Sequence, residues 1–212
     1  MNNVRNRIGL RHIGTALLAT ALCAPVFAQD DAAKPADPKM SAETQTMMAA
    51  WQKASTPGAQ HKQLADQFVG TWDTKMTAWM EPSAPPVTST GKSVNTAVLG
   101  GRQVRMDFNG EFMGQPFEGV GLSGYDNVQG KYTGTWTDNM STAVMMSKGD
   151  YDAATKTYTF RADMPDMMKP GATIAIRETL RVIDADHHVM EMYEPKDGKE
   201  VKTMALEYSR VK

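Results

Sequence analysis

Residues 104–109 read Val-Arg-Met-Asp-Phe-Asn, so that every second side chain is apolar. Residues 158–163 follow the same alternation, and residues 173–182 follow it except at Glu178. Because successive side chains of a strand point to opposite faces, each stretch predicts a β-strand with one apolar and one polar face. From Phe68 onward, clusters of Gly, Pro, Asn and Asp recur about every 8 to 15 residues, which is typical of an antiparallel meander.

The pattern predicts a mainly β fold of about ten strands. Their expected positions are near residues 68–80, 87–98, 102–112, 116–126, 131–138, 142–151, 156–164, 172–184, 187–194 and 200–210. Such a meander is expected to close into an antiparallel up-and-down barrel, because closure removes the exposed edges. A barrel of this size has an interior that holds either side chains or one small ligand.

The first 28 residues have the features of a secretory signal peptide. Arg5, Arg7 and Arg11 precede an apolar stretch over residues 13–27, and the small residue Ala28 suits cleavage directly after it. We therefore expect an exported protein of the periplasm or the cell exterior. The only Cys lies within this leader and is lost with it.

The rest of the chain divides into three predicted parts. Residues 29–39 carry two prolines and five charges without a large apolar group, which indicates a flexible tether. Residues 40–66 are predicted to be helical, and residues 67–212 form the barrel. Ser41 is placed to cap a first helix that ends at Pro57-Gly58 and is followed by a second short one. The residues that share one stripe of the first helix are Met40, Met47, Met48 and Trp51.

Composition excludes several classes of protein. The chain has 23 basic and 24 acidic residues, so a nucleic-acid partner held by bulk charge is not expected. Beyond the leader no apolar run is long enough for a stable membrane span. A single Cys excludes a disulfide framework, and no nucleophile has a base beside it, so no catalytic residue and no cofactor are predicted.

Two short segments resemble the calycin barrels, the lipocalins and fatty-acid-binding proteins. Gly70-Thr71-Trp72 lies on the first predicted strand, and Tyr208-Ser209-Arg210 ends the last. In those barrels a first-strand Trp packs at the base under an Arg from the last strand, so the resemblance implies a structural pair of Trp72 and Arg210. A guanidinium stacks well on an indole face and also bonds carbonyl oxygens.

A longer resemblance covers residues 64–210. It is carried by Leu99-Gly100-Gly101-Arg102, Gly-Gln-Pro-Phe-Glu-Gly at 114–119, Gly-Tyr-Asp-Asn at 124–127 and Thr-Trp-Thr-Asp-Asn-Met at 135–140. Together these segments look like the bacterial domain-of-unknown-function family number 1579, exported proteins with no assigned activity. Gln103 departs from the aromatic or Leu residue expected after Gly-Gly-Arg. The resemblance implies a calycin-like architecture and no mechanism.

The first candidate ligand site combines Tyr125 with Trp136, Asp138 and Met140 on the neighbouring strand. Trp136 and Asp138 are two residues apart and therefore share one face. A carboxylate desolvated beside an indole has a raised pKa and is a candidate general base. In the alternative interpretation, Trp136 belongs to the core and Asp138 bonds to loop amides.

Glu178 and His188 are two further ligand-binding candidates. Glu178 interrupts the apolar face of its strand, so it is predicted to point into the barrel, where it needs Arg102, Arg210 or a ligand as partner. His187 and His188 are adjacent, so at most one of them faces inward. The nitrobindin-like barrels hold haem through one His, and His188 is the candidate by position, although haem is not predicted.

Methionine is unusually frequent, with 17 in the chain. Met164, Met167 and Met168 lie close together near a predicted Pro-Gly loop and form a candidate site for Cu(I), which prefers soft thioether ligands. In the alternative interpretation, methionine fills irregular space in the core and adapts to ligands of varied shape.

The leading functional hypothesis is binding of a small apolar or amphipathic ligand inside the barrel. Three alternatives stay open: an enzyme that uses Asp138 or Glu178, a structural or partner-binding envelope protein, and a periplasmic copper-binding protein.

Overall fold

All ten predicted strands form, and they close into one barrel. A computed structural model describes residues 40–81 and 84–212; the predicted signal peptide and tether lie outside the described residues. The strands are β1 (Gly70–Ala78), β2 (Val87–Val98), β3 (Gln103–Phe112), β4 (Gln115–Asp126), β5 (Lys131–Asp138), β6 (Met145–Asp152), β7 (Thr157–Pro165), β8 (Thr173–Val182), β9 (His187–Lys196) and β10 (Lys199–Arg210). Each strand pairs antiparallel with the next, and β1 pairs with β10. The predicted fold class is confirmed.

Two helices precede the barrel, α1 (Ala42–Ser55) and α2 (Ala59–Phe68). The Ser41 hydroxyl caps α1 by accepting a hydrogen bond from the amide of Thr44 at 3.1 Å. No residue of α1 is buried, and the side chains of Met47, Met48 and Trp51 are exposed. The apolar stripe that the sequence predicted therefore does not pack into the barrel core. Neither α1 nor α2 is long and apolar enough to cross a membrane.

Helix α2 closes one end of the barrel, which we call the base. It buries His61, Leu64 and Phe68, and the last two belong to a core cluster with Val104, Tyr132, Tyr158 and Phe160. The carbonyl of Phe68 at the end of α2 accepts hydrogen bonds from the Trp72 indole at 2.9 Å and from the Asn95 amide at 3.0 Å. These two bonds satisfy a helix-end carbonyl that would otherwise be buried without a partner.

Glycines on β4 make room for one aromatic side chain. A Cβ atom at Gly119 would lie 2.2 Å from the Trp136 ring, and one at Gly121 would lie 3.2 Å from it. Gly121 is directly opposite Trp136 in the β4–β5 register. The absence of a side chain at these two positions therefore allows the indole to lie flat against the inner wall.

Candidate functional site

The barrel encloses a cavity of ≈ 420 Å³. At the base it is bounded by Phe68, Asn95, His188 and Tyr208. At the other end, which we call the mouth, it reaches the β5–β6 and β7–β8 connections. Met140 and Met167 line it there and are 53% and 82% exposed, so the cavity is continuous with the protein surface.

Aromatic residues and methionines make up half of the residues that line the cavity. The aromatic residues that line it are Phe68, Phe108, Phe112, Phe117, Trp136, Phe160 and Tyr208. The methionines are Met76, Met106, Met140, Met145, Met164, Met167, Met190, Met192 and Met204. Nine of the 17 methionines of the chain thus line this one cavity. Thioether side chains are flexible and polarizable, which gives the wall a surface that adapts to its contents.

Trp136 and Asp138 lie together in the wall near the mouth, and Met140 follows them. The Trp136 indole donates a hydrogen bond to Oδ2 of Asp138 at 2.8 Å, and Oδ1 accepts one from the amide of Met140 at 3.0 Å. Both carboxylate oxygens therefore hold structural hydrogen bonds. Asp138 fixes the indole orientation and starts the β5–β6 connection.

Tyr125 lies apart from the other candidates, because it is at the base end of β4. It pairs with Tyr132 across the β4–β5 ladder, their ring centroids lie 4.9 Å apart, and Tyr125 does not line the cavity. Its turn neighbours also have structural contacts. Asp126 accepts hydrogen bonds from the amides of residues 128 and 129, and the Asn127 amide donates to carbonyls at the end of α1.

Glu178 points into the cavity from the middle of β8, between β7 and β9. Its register partners are Phe160 on one side and Met192 on the other. Burial among these apolar groups raises the pKa of the Glu178 carboxyl to about 7. Within residues 40–81 and 84–212 the carboxylate has no hydrogen bond and no ion pair. Neither of the two arginines predicted as partners pairs with Glu178. Arg102 donates a hydrogen bond to the carbonyl of Leu99, and Arg210 binds carbonyls at the base.

His188 forms the floor of the cavity and is 2% exposed. Its ring stacks on Tyr208 at 4.2 Å between centroids and meets the edges of Trp72 and Phe68. Burial, and to a lesser extent the charge of Arg210, lowers the pKa of His188 to about 3, so its imidazole is neutral at physiological pH. His187 points outward and pairs with Asp184.

Arg210 lies over Trp72 at the base, as the calycin resemblance implies. The guanidinium carbon is 4.0 Å from the centroid of the Trp72 ring system. The three nitrogens of the same guanidinium donate hydrogen bonds to the carbonyls of Val69, Gln67 and Ala185. The pair thus ties the end of α2 and the β8–β9 connection to the first and last strands.

The candidate Cu(I) ligands are divided by the structure. Met164 and Met167 line the cavity near its mouth, whereas Met168 is 88% exposed and does not line it. The amide of Met168 donates a hydrogen bond to the Asp166 carboxylate in the β7–β8 connection. Only two of the three predicted sulfurs therefore face the same space.

Several wall residues are not among the predicted site residues, notably Phe117, Met145, Met190 and Tyr208. Met190 follows His188 at an alternating position on β9, so the period of two that located Glu178 also points to it. Tyr208 was noted only as part of a terminal motif. Burial, and secondarily the charge of Glu178, raises the pKa of the Tyr208 hydroxyl.

The fold and the cavity define a class of protein: a closed antiparallel β-barrel whose apolar interior is plugged at one end by a helix and open at the other. A family model described as "Protein of unknown function (DUF1579)" matches residues 56–210. The chain belongs to this family, which confirms the family resemblance seen in its sequence. No curated relative matches the chain at a significant level.

Two solved structures are similar to the barrel. The crystal structure of Rv2717c from M. tuberculosis is 14% identical, with a TM-score of 0.55 over 74% of this chain and 100% of that one. The S-type phycobiliprotein lyase CPES from Guillardia theta is also 14% identical, with a TM-score of 0.49 over 76% of this chain and 96% of that one. At this level of identity the likeness to Rv2717c shows the fold alone.

Proposed function

We propose that this protein binds one small apolar or amphipathic molecule inside its barrel. The observation that carries the proposal is the cavity of ≈ 420 Å³ with its aromatic and methionine wall. Ligand pockets in proteins span about 300 to 1,000 Å³ and are mostly apolar, with a few placed polar groups. Glu178 and Tyr208 are such groups here, since both face the cavity from otherwise apolar surroundings.

The empty space follows from small residues at inward positions. Gly121, Ser123, Gly134 and Ser147 line the cavity on three consecutive strands, β4 to β6, where large side chains would fill it. Protein interiors are normally close-packed, so a barrel that keeps small residues facing its centre forgoes packing contacts. A bound apolar molecule would restore those contacts and bury the cavity wall.

Native mass spectrometry of protein purified without detergent tests the proposal. We expect extra mass that disappears on denaturation, either from a carried molecule or after addition of 1-decanol. Retention of copper instead would be recognised from its mass and would support the metal-binding alternative. A protein that carries nothing and takes up no decanol would contradict the proposal.

A cavity-filling variant provides the matched control. Ser147→Phe places a ring inside the cavity, whereas Thr96→Phe places the same ring on the exposed outer face of β2. The first variant is expected to lose the retained mass, and the second is expected to keep it.

We further propose that the protein acts after export. The support is the charge pattern and apolar stretch of residues 1–28. Intact mass measurement of protein secreted from its own cells tests this proposal, with a mature chain that begins at Gln29 as the expected result. A chain that retains residues 1–28 would contradict it.

A further inference from the structure

Glu178 is an acidic group of the cavity wall that has no ion-pair partner among the described residues. Its carboxylate faces the cavity from the middle of β8 without a hydrogen bond or ion pair to any described residue. A carboxyl group in apolar surroundings is costly unless a partner compensates it. A ligand that enters the cavity can therefore supply the partner that this carboxylate lacks.

The other ionisable groups of the cavity wall do not fill this role. Asp138 near the mouth already accepts two hydrogen bonds, and Glu111 lies exposed at the mouth. None of the described residues that line the cavity is Lys or Arg. Arg210, the partly exposed cation at the barrel base, is bound to three carbonyls and stacked on Trp72.

We propose that the cavity selects amphipathic ligands whose polar group is a protonated amine, and that Glu178 pairs with this ammonium group. The inference rests on the proposed binding function and specifies the ligand class. An apolar chain or ring of the ligand packs against the methionine and aromatic wall. The ammonium group donates hydrogen bonds to the Glu178 carboxylate in a region of low dielectric, where charge pairing is strong.

The same geometry disfavours an anionic ligand such as a fatty acid. A ligand carboxylate within the cavity would meet Glu178 and find no lysine or arginine on the wall. Like charges in a shared apolar site repel strongly, so one of the two carboxyl groups would have to stay protonated. A neutral alcohol avoids this repulsion but gains no ion pair.

The groups around Glu178 are compatible with a cationic partner. Phe160 on β7 and Met192 on β9 flank it and carry no charge. His188 on β9 stays neutral in its aromatic surroundings, so it does not compete with the ligand as a cation. The Tyr208 hydroxyl on β10 faces the same cavity as a second polar contact.

Isothermal titration calorimetry with three ligands of one chain length tests the proposal: decylammonium, 1-decanol and decanoate, each at about pH 8, where the amine remains protonated. We expect decylammonium to bind about tenfold more tightly than decanol, and decanoate to bind most weakly. Equal affinity for decylammonium and decanol, or a preference for decanoate, would overturn the inference and leave the proposed function intact. Binding of none of the three would overturn both.

The variant Glu178→Gln distinguishes an ion pair between Glu178 and the ligand ammonium group from apolar contact between the ligand and the cavity wall. It is expected to erase the preference for decylammonium over decanol while decanol binding is retained. Glu207→Gln, which removes a charge on the exposed outer face of β10, is the matched control and is expected to keep the preference. If Glu178→Gln keeps it as well, Glu178 is not the partner of the amine. Circular dichroism and decanol binding verify that each variant is folded.

Discussion

Thr74 carries a buried hydroxyl oxygen that has no hydrogen-bond partner in the described part of the chain. An unsatisfied buried hydroxyl costs stability, because its hydrogen bonds with water are lost without replacement. Thr74→Val keeps the shape of the side chain and removes the polar group. We expect the variant to be more stable by about 1 kcal/mol, which corresponds to a rise in Tm of about 2 to 4 °C.

Differential scanning calorimetry measures this change, with Thr90→Val on the exposed outer face of β2 as the control. The control should leave the Tm within about 1 °C of wild type, since exposed substitutions have small effects. A lower Tm for Thr74→Val than for wild type would show that the hydroxyl has a stabilising partner after all.

Glu178 makes stability depend on pH. Its pKa rises from the ordinary value of 4.5 to about 7 on folding, so between these values the folded protein binds the proton more tightly than the unfolded chain does. The free energy of unfolding therefore falls as the pH rises through this window, and the loss is complete above about pH 7. Glu178→Gln removes this dependence and is expected to be more stable than wild type at about pH 8 by up to about 3 kcal/mol.

Urea unfolding of both proteins at about pH 4 and about pH 8 tests the prediction. Glu111→Gln, at the exposed mouth, should retain the wild-type pH dependence. Identical pH profiles for wild type and Glu178→Gln would contradict the assignment of the raised pKa to Glu178.

Helix α1 is held by the turn between β4 and β5. The Asn127 amide donates hydrogen bonds to the carbonyls of Lys53, Ala54 and Thr56, at 3.2, 3.2 and 2.8 Å. Because α1 buries no residue, these bonds are its principal polar attachment to the barrel among the described contacts. Asn127→Ala is expected to raise amide hydrogen exchange throughout α1 by about tenfold and to change the Tm by less than about 2 °C.

The control for this experiment is Asn109→Ala, an exposed position on β3. It should leave exchange in α1 unchanged. If α1 stays protected from exchange in Asn127→Ala, contacts other than the Asn127 hydrogen bonds hold the helix.

The base of the barrel depends on the shape of Arg210 as well as its charge. Lys at this position keeps the charge, but it can neither stack as a planar group on Trp72 nor bond three carbonyls in a fixed fork. Arg210→Lys is expected to lower the free energy of unfolding by about 2 kcal/mol and to raise amide exchange in α2. Arg102→Lys, whose guanidinium bonds one exposed carbonyl, should cost less than about 0.5 kcal/mol in the same urea titration. Equal losses in the two variants would contradict a special role of Arg210.

The strands were predictable because each carries its own alternation and ends at a turn. The positions of β5 and β2 agree with the sequence to the residue, and the inward direction of Glu178 follows from the period of two on β8. The Ser41 cap and the Pro57-Gly58 stop likewise define α1 locally. These features depend on neighbouring residues alone.

Contacts between distant segments were not predictable in the same way. The bonds from Asn127 to the end of α1 join residues more than 70 positions apart, and no local pattern encodes them. The sequence predicts Tyr125 in the ligand site, but the antiparallel register places it at the base while Trp136 faces the cavity. The sequence showed which residues face inward, but depth along the barrel axis depends on the register of all strands together.

At the scale of the whole molecule, the volume of the cavity was beyond sequence reasoning. It depends on how far large side chains such as Phe108 and Trp136 extend into the space that small ones such as Ser147 and Gly134 leave open. The family followed from short motifs and the architecture from the alternation along each strand, whereas the presence of an open interior required the assembled barrel.

The central claim is that the interior of the barrel is a binding cavity. Methyl NMR of protein labelled at its methionine methyl groups tests this most directly, because nine methionines line the cavity and others lie outside it. On addition of 1-decanol, we expect the methyl signals of the enclosed residues Met106, Met145 and Met190 to shift. The signals of the exposed residues Met47 and Met168 should stay in place. Shifts confined to the exposed methionines, or no shifts at all, would contradict the claim that this barrel binds its ligand inside.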